Sequence, residues 1–284
     1  MTDGLGLGGA YGETLSRIKG QGGEKSRLGM ATLMWISHSE RPLKVDELCH
    51  ALGVEIGSPD LHSDNVPSVG TLLTCCQGLV AVEKKASTVR LIHFTLQEYL
   101  RAHPELFRTA HATMAETCLT YLSSPQVKTF STSPSRDLRG TPSLEYSSLY
   151  WGIHAKRDLS KYAKQLALKL FEGCSNHIST KLLLDGERSR LHFPSSDINL
   201  GLSGLHCASL YGIVEIVASL IDVGGCDANQ RDCMGSTPLV WAALNGHEEV
   251  VEILLGRNNV DPNKWGSYGR TRSCVLLGRG TNEW

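Results

Sequence analysis

The chain has 284 residues, 41% hydrophobic and 20% charged, which is an ordinary composition for a soluble globular protein with room for two domains. Its 28 basic and 29 acidic residues give a formal net charge of −1, so no global field attracts nucleic acid or acidic membranes. No apolar run approaches the roughly 18 residues of a membrane span, and no secretory signal opens the chain. We therefore expect a protein that spans no membrane.

Nine cysteines are scattered along the chain without the C-x-x-C spacing of zinc sites and redox motifs. Cys75 and Cys76 are neighbours on a predicted helix, where consecutive side chains diverge. Neither a zinc site nor a disulfide framework fits this pattern, which is typical of reduced thiols in a cytosolic protein. We expect a cytoplasmic location and no bound metal.

Residues 1–27 are rich in Gly, Lys and Glu, and they predict a flexible N-terminal segment. Gly4–Gly9 fits the dinucleotide pattern G-x-G-x-x-G, but no strand precedes it, as that fingerprint requires. Gly23–Ser26 imitates the end of a phosphate loop, yet Glu24 separates the glycine from the lysine. We therefore predict no cofactor, no small-molecule substrate and no catalysis for this chain.

Residues 28–122 carry regular apolar spacing that predicts three helices, a two-stranded hairpin and two further helices. Leu28–Ile36 is apolar nearly all round, as a buried helix is. The strands are predicted at Leu79–Val82 and Val89–Phe94. Thr95–Glu98 fits a capping box that starts the fourth helix. Three helices followed by a hairpin is the element order of a winged helix.

Residues 123–148 predict a linker, because 14 of these 26 residues are Ser, Thr or Pro and such a composition buries little apolar surface. Helical periodicity returns in residues 149–198, which we interpret as a helical segment. One face of it carries Leu159, Tyr162, Leu166 and Leu170. The segment is expected to pack on, or lead into, the repeats that follow.

From residue 199 the chain repeats itself at a constant spacing of 34 residues. Leu205 recurs as Leu239, and Ala208 recurs as Ala242. A fixed period of this length indicates a solenoid of stacked units, and such solenoids mostly bind other proteins. The chain is therefore predicted to be mainly α-helical, with a winged-helix module, a helical segment and a short solenoid.

The second repeat unit, Gly235–Leu255, resembles an ankyrin repeat, because it contains both the T-P-L start and the G-H-x-x-V-V-x-x-L-L run. The first unit departs from that pattern at Gly204, where Pro is usual. A third unit begins at Gly269 and has no second helix before Trp284. Residues 199–284 are therefore interpreted as two whole ankyrin repeats and one incomplete repeat.

Residues 28–122 resemble the winged-helix segment of NACHT-type signalling ATPases, in the form found in fungal NACHT–ankyrin proteins. The resemblance rests on Leu33–Leu43, Asp46–Leu52 and Arg90–Leu100, the last being similar to the I-H-x-S/T-x-Q-E-F/Y block of NOD-like receptors. It implies that His93 points at the diphosphate of ADP held by an NTPase module, which is absent from this sequence. The alternative is that His93 is a structural histidine.

Three functions are compatible with these features. The first is a protein-interaction scaffold without catalysis, and the second is a nucleotide-state sensor that requires a separate NACHT module. The third, a DNA-binding regulator, is the least favoured, because the predicted recognition helix, Ser68–Gly78, contains no Lys or Arg to neutralise phosphates.

The resemblance to ankyrin repeats also implies which residues meet a protein partner, at the hairpin tips and on the inner helices. They are Leu202, Leu210 and Tyr211 in the first unit, and Cys233, Met234, Ser236, Leu244 and Asn245 in the second. Several are apolar on a surface expected to face solvent, which favours a contact patch with Tyr211 as its anchor. The alternative is that a short array packs these residues on the helical segment before it.

Overall fold

The computed structural model describes residues 3–129, 140–173, 177–191, 201–222 and 226–261. Within these ranges the chain is mainly helical, as predicted, with a two-stranded antiparallel sheet. None of the helices in this part of the chain is both long and apolar enough to cross a membrane. The predicted third repeat, from Gly269 onwards, lies outside the described residues.

The N-terminal part of the chain folds as the predicted helices and hairpin, with one helix added in front. Its elements are α1 (Asp3–Gly20), α2 (Gly23–His38), α3 (Val45–Leu52), α4 (Val69–Cys75), β1 (Val80–Glu83), β2 (Thr88–Leu91), α5 (Phe94–Ala102) and α6 (Ala110–Ser123). In the hairpin Val80 pairs with Leu91 and Glu83 with Thr88. Buried apolar side chains of α2, α3, α4 and α6 belong to one continuous core.

The start of α5 differs from the prediction. Strand β2 ends at Leu91, and the N-cap of α5 is His93, whose ring Nδ1 accepts the backbone N–H of Thr95 at 3.2 Å. Thr95 itself therefore lies inside the helix, and the predicted capping box of Thr95 and Glu98 is wrong. An imidazole nitrogen takes the place of the hydroxyl or carboxylate oxygen that usually accepts this bond.

The prediction of a flexible segment over residues 1–27 is wrong for the part that the structure describes. Helix α1 occupies most of it, and its apolar side chains belong to the same buried cluster as residues of α5. The buried apolar residues of α1 are Tyr11, Leu15 and Ile18. The Tyr11 hydroxyl also lies 2.7 Å from Thr95 Oγ1. Spacings of four and three residues place all three side chains on one helix face, which the high glycine content obscured.

The predicted linker at residues 123–148 is helical at both ends. Two helices occupy these ends, α7 (Pro125–Lys128) and α8 (Leu144–Arg157), whereas residues 130–139 lie outside the described part. Val127 and Tyr146 are fully buried. Hydroxyl-rich sequence is compatible with burial here because Ser148 Oγ donates to a backbone carbonyl one turn back, at 2.6 Å.

The helical segment and the repeats continue directly from this core. The segment consists of α8, α9 (Lys161–Phe171) and α10 (Ile178–Leu191), and α6 packs on both α8 and α9. Two helix pairs follow, α11 (Gly204–Tyr211) with α12 (Val214–Asp222), then α13 (Pro238–Leu244) with α14 (Glu248–Leu255). Helix α8 contacts α11, and α9 contacts α12, so the helical segment joins the winged helix to the array.

Polar side chains join the two repeats. His206 Nε2 lies 3.1 Å from the Gln230 carbonyl oxygen and 3.2 Å from that of Ser236. The Trp241 indole N–H donates to the buried carboxylate of Asp232 at 2.8 Å. The other oxygen of Asp232 accepts the backbone N–H groups of Met234 and Ser236, each at 2.8 Å. These bonds fix the loop between the two repeats against their inner helices, α11 and α13.

Candidate interaction surfaces

Five of the eight residues predicted to meet a partner are buried within the chain. Their exposed fractions range from 0% to 9%, and they are Leu202, Leu210, Tyr211, Met234 and Ser236. Cys233, Leu244 and Asn245 are half-buried. The five buried side chains therefore do not form an exposed contact patch, and Tyr211 is not an exposed anchor.

Tyr211 lies at the junction between the array and the helical segment. Its ring packs edge-on against Trp151 of α8, with the ring centroids 5.1 Å apart, and its hydroxyl donates to the Ser148 carbonyl at 2.7 Å. A Cβ at Gly152 would lie 2.2 Å from Cγ of Tyr211, so only glycine leaves room for the ring. Burial raises the pKa of Tyr211 well above its usual range. The alternative prediction, packing on the preceding helical segment, describes this residue.

A groove of about 460 Å³ lies between the helical segment and the inner helices of the repeats. In this groove, here named the array groove, the apolar residues are Leu149, Tyr150, Ile153, Leu183, Gly186, Leu210 and Tyr211, and the polar residues are Lys156, Glu187, Arg190, Asn245 and His247. Three of the predicted partner residues therefore line one site. Most of its lining comes from α8 and α10, which sequence reasoning missed because the repeat alignment did not extend to them.

Hydrogen bonds link the polar residues of the array groove. Arg190 donates to Asn245 Oδ1 at 2.8 Å, and Lys156 donates to His247 Nδ1 at 3.0 Å. His247 Nε2 in turn donates to the Leu210 carbonyl at 2.8 Å. Burial lowers the pKa of His247, the bond to Leu210 opposes this shift, and the charge of Lys156 adds to it. A neutral His247 therefore bridges α8 and the first inner helix.

His93 lies at the surface of the winged helix, beside a second cleft of about 370 Å³, here named the His93 cleft. Three arginines line this cleft, Arg41, Arg90 and Arg101, and the guanidinium of Arg41 is bound to the Glu47 carboxylate at 2.7 Å. Ile92 and Phe94, which flank His93, are 43% and 67% exposed. The helix cap occupies His93 Nδ1, so Nε2 is the ring nitrogen left for another contact.

The cysteines and the metal-binding residue types give no further site in the described part of the chain. Burial raises the pKa of the Cys49 thiol to about 11 and those of Cys76 and Cys118 to about 12, which makes these thiols poor nucleophiles at neutral pH. Among the described residues, no three His, Cys, Asp or Glu side chains come together in a way that could hold a metal ion.

Comparison with known protein families identifies two modules. Residues 168–264 match the family model of ankyrin repeats in three copies, and residues 17–112 match the winged helix domain of GPI inositol-deacylase. The chain therefore contains a winged-helix domain and ankyrin repeats. The ankyrin match begins before residue 199, and the winged-helix match begins within α1.

Curated proteins resemble short parts of this chain. A probable protein S-acyltransferase of Arabidopsis thaliana is 42% identical over 62 residues, which are 22% of this chain and 11% of that protein. A photoreceptor ankyrin repeat protein of Homo sapiens is 36% identical over 88 residues, 30% of this chain and 19% of the human protein. An ankyrin and IPT/TIG repeat-containing protein of Schizosaccharomyces pombe is 36% identical over 70 residues, 25% of this chain and 6% of its own length. The chain thus spans less than two thirds of each of these relatives.

Proposed function

We propose that this protein is a non-catalytic interaction scaffold whose protein partner binds in the array groove. The observation that carries the proposal is the groove itself, which has apolar walls and a polar rim at the inner surface of ankyrin repeats. Protein–protein contact sites commonly have this anatomy, with a buried apolar centre surrounded by polar residues. Because helices of two neighbouring units form the walls, little ordering is needed when a partner binds.

We also propose that this chain is related to a wider class of signalling proteins. The winged-helix match supports a relationship to NACHT-type signalling ATPases, and its combination with ankyrin repeats favours the fungal NACHT–ankyrin form. An NTPase module would then be supplied elsewhere. The buried thiols are compatible with a cytoplasmic location. In this arrangement the array selects the partner, and catalysis is not a property of the residues described here.

Substitutions in the array groove test the scaffold function. Ile153→Arg places a charge in the apolar wall, and Arg190→Glu reverses a charge at the exposed rim. Lys161→Glu, at the exposed start of α9, is the matched control outside the groove. The proteins captured by the native chain should be lost with both groove variants and retained with the control, at unchanged melting temperatures. Identical capture by all four chains would refute the proposal.

A nucleotide-state sensor is the second candidate, and the exposure of His93 beside Arg90 and Arg101 favours it. Imidazole and guanidinium groups can donate charge-assisted hydrogen bonds to a diphosphate. The exposed Ile92 and Phe94 would pack on the module that holds the nucleotide. In this function His93 acts only when a NACHT module is present.

Binding to an ADP-loaded NACHT module tests the sensor function. His93→Ala should weaken binding of the full chain about tenfold, since a charge-assisted hydrogen bond contributes roughly 1.5–3 kcal/mol. His62→Ala, at another exposed histidine, should leave binding unchanged. The purified chain alone should show no ATP turnover. Equal binding of native and His93→Ala chains would rule out the sensor function.

A further inference from the structure

A third cleft, of about 340 Å³, lies where the winged helix meets α8, and is here named the junction cleft. Four elements each contribute one basic side chain to it: His38 from the end of α2, Arg101 from α5, His111 from α6 and Arg157 from α8. Its other lining residues are Ser37, Ser39, Glu40 and Leu100. Arg101, Ser37, Ser39 and Glu40 also line the His93 cleft, whereas His38, His111 and Arg157 line the junction cleft and not the His93 cleft.

The basic groups of the junction cleft outnumber the carboxylates that act on them. Glu40 pairs with Arg157, with Nη2 of the arginine 3.2 Å from Oε2, and Asp158 acts on His111 from the end of α8. Burial lowers the pKa of His38 and of His111, and the charge of Arg157 lowers both further. Arg101 adds to the effect on His38. With both histidines neutral, the two guanidinium groups are matched by the two carboxylates, so protonation of either histidine gives the cleft a net positive charge.

The hydrogen bonds of His38 define which of its ring atoms can meet a ligand. Nδ1 lies 2.8 Å from Ser37 Oγ, which donates its own proton to the Leu33 carbonyl, and 3.1 Å from the Met34 carbonyl oxygen, which can only accept a hydrogen bond. With its proton on Nδ1 the neutral ring donates to these oxygens, and Nε2 is left with a lone pair. A second proton on Nε2 would turn this atom into a donor for an anion.

The hydrogen bonds of His111 leave its Nε2 for a ligand. The Tyr146 hydroxyl accepts the Glu40 backbone N–H at 3.2 Å and lies 2.9 Å from His154 Nε2. His154 Nδ1 lies 2.9 Å from His111 Nδ1, so one of these two nitrogens donates to the other. When the Tyr146 hydroxyl donates to His154 Nε2, His154 Nδ1 donates to His111, and the proton of His111 is then on Nε2, where it can meet an anion.

We propose that the junction cleft binds a phosphate-class dianion, the phosphate group of a small phosphate monoester. His111 Nε2 and the guanidinium groups of Arg101 and Arg157 supply donors at neutral pH, and guanidinium groups match tetrahedral oxyanions well. The cleft is larger than a bare phosphate ion, so it also accommodates the organic part of the monoester. This site belongs to the winged-helix junction and does not depend on partner binding at the array groove.

Two groups of the junction cleft control its affinity for the anion. Glu40 competes with it, because its carboxylate occupies Arg157 in the absence of a ligand. His38 adds a fourth donor when its Nε2 takes up a proton, and a bound dianion favours that protonation. Affinity for a dianion should therefore rise as the pH falls.

Titration of the full chain with sulfate tests the site, because sulfate stays dianionic when the protein's histidines titrate. Calorimetry should give tighter binding at about pH 6 than at about pH 8. Arg101→Gln, at an exposed position, should weaken binding about tenfold, as expected for the loss of a charge-assisted contact. Glu40→Gln should strengthen binding, because it releases Arg157. His38→Gln should reduce the pH dependence and leave the part that is due to His111.

Arg108→Gln is the matched control, since Arg108 is an exposed arginine of the same domain that lines neither the junction cleft nor the His93 cleft. Its sulfate affinity should equal that of the native chain. Equal affinities of the native chain and the Arg101→Gln and Glu40→Gln variants would overturn the proposal. Glycerol phosphate in solution and vesicles of phosphatidylcholine with phosphatidic acid then distinguish the source of the phosphate. Binding of glycerol phosphate supports a soluble monoester, whereas binding to the vesicles alone overturns that part of the proposal.

Discussion

Tyr211 and Gly152 illustrate how single residues attach the repeats to the rest of the chain. The Tyr211 ring occupies the space that a side chain at position 152 would fill, and its hydroxyl satisfies a buried carbonyl of α8. Large and small residues at facing positions allow α8 and α11 to approach closely. Shape complementarity between α8 and α11, as well as the burial of apolar surface, therefore holds the repeats on the helical segment.

Gly152→Ala should destabilise the protein by about 1–3 kcal/mol, the usual cost of forcing an extra methyl group into a packed core. Denaturant unfolding measures this change. Gly9→Ala in α1, where a Cβ meets no atom within 4 Å, is the control and should be neutral or slightly stabilising. In a Tyr211→Leu background the penalty of Gly152→Ala should shrink. An unchanged penalty in that background would contradict the contact described here.

The bonded pair His111 and His154 predicts how stability depends on pH. Burial, followed by the charges of His111, Arg157 and His38, lowers the pKa of His154 to about 3. The unfolded chain therefore binds a proton at about pH 6.5, whereas the folded chain does not until the pH is far lower. The free energy of unfolding should consequently fall as the pH drops below about 6.5, by about 1.4 kcal/mol per pH unit for this residue.

Urea unfolding at a series of pH values measures this slope. His154→Gln keeps a donor and an acceptor but cannot titrate, so it should unfold with a shallower pH dependence than the native chain. His62→Gln, at an exposed position, serves as the control and should retain the native slope. If all three chains had the same slope, His154 would not be the group responsible.

At the scale of elements, α1 is the helix that the glycine-rich composition of the N-terminal residues did not predict. Its buried face packs in one cluster with residues of β1, β2 and α5. Leu15→Ala should therefore cost about 2–5 kcal/mol, as other large-to-small core substitutions do. Thermal and urea unfolding measure the effect, and Glu13→Ala, on the exposed face of the same helix, should have little effect. Equal, small effects of both substitutions would mean that α1 is not part of the core.

The elements that could be predicted from the sequence are those with strong local patterns. The hairpin, the helices around it and the two helix pairs of the array follow from apolar periodicity and from the repeat spacing. Helix α1 was missed because a glycine-rich composition outweighed three well-spaced apolar residues. The start of α8 was missed because the burial of Tyr146 depends on tertiary bonds, such as that between its hydroxyl and His154.

The candidate sites depend even more on tertiary contacts. The ankyrin alignment identified Leu210, Tyr211 and Asn245, but it placed them on an open surface because it contains no information about α8. Residues of the junction cleft come from four elements that are far apart in the sequence. No spacing rule brings His38, His111 and Arg157 together, so only the folded chain identifies this group.

At the scale of the whole molecule, α6 and α8 form a continuous structural axis. Helix α6 packs on α2 and α3 of the winged helix and on α8 and α9 of the helical segment, and α8 contacts the array. We therefore expect the winged helix and the repeats to unfold as one cooperative unit. Hydrogen exchange in increasing urea should give the same opening free energy for α6, α11 and α13. Opening of α11 and α13 well before α6 would indicate two independent units.

The close packing of the Tyr211 ring on Gly152 also limits which repeats of such a chain can be exchanged in evolution. A repeat added after α14 would pack on other repeats, so duplication or exchange of units there would leave the contact between Tyr211 and Gly152 intact. The first repeat is different, because the side chains of its inner helix, α11, must be complementary in shape to the surface of α8. We expect related proteins to vary in the number of their later repeats while the first repeat is inherited together with the winged helix.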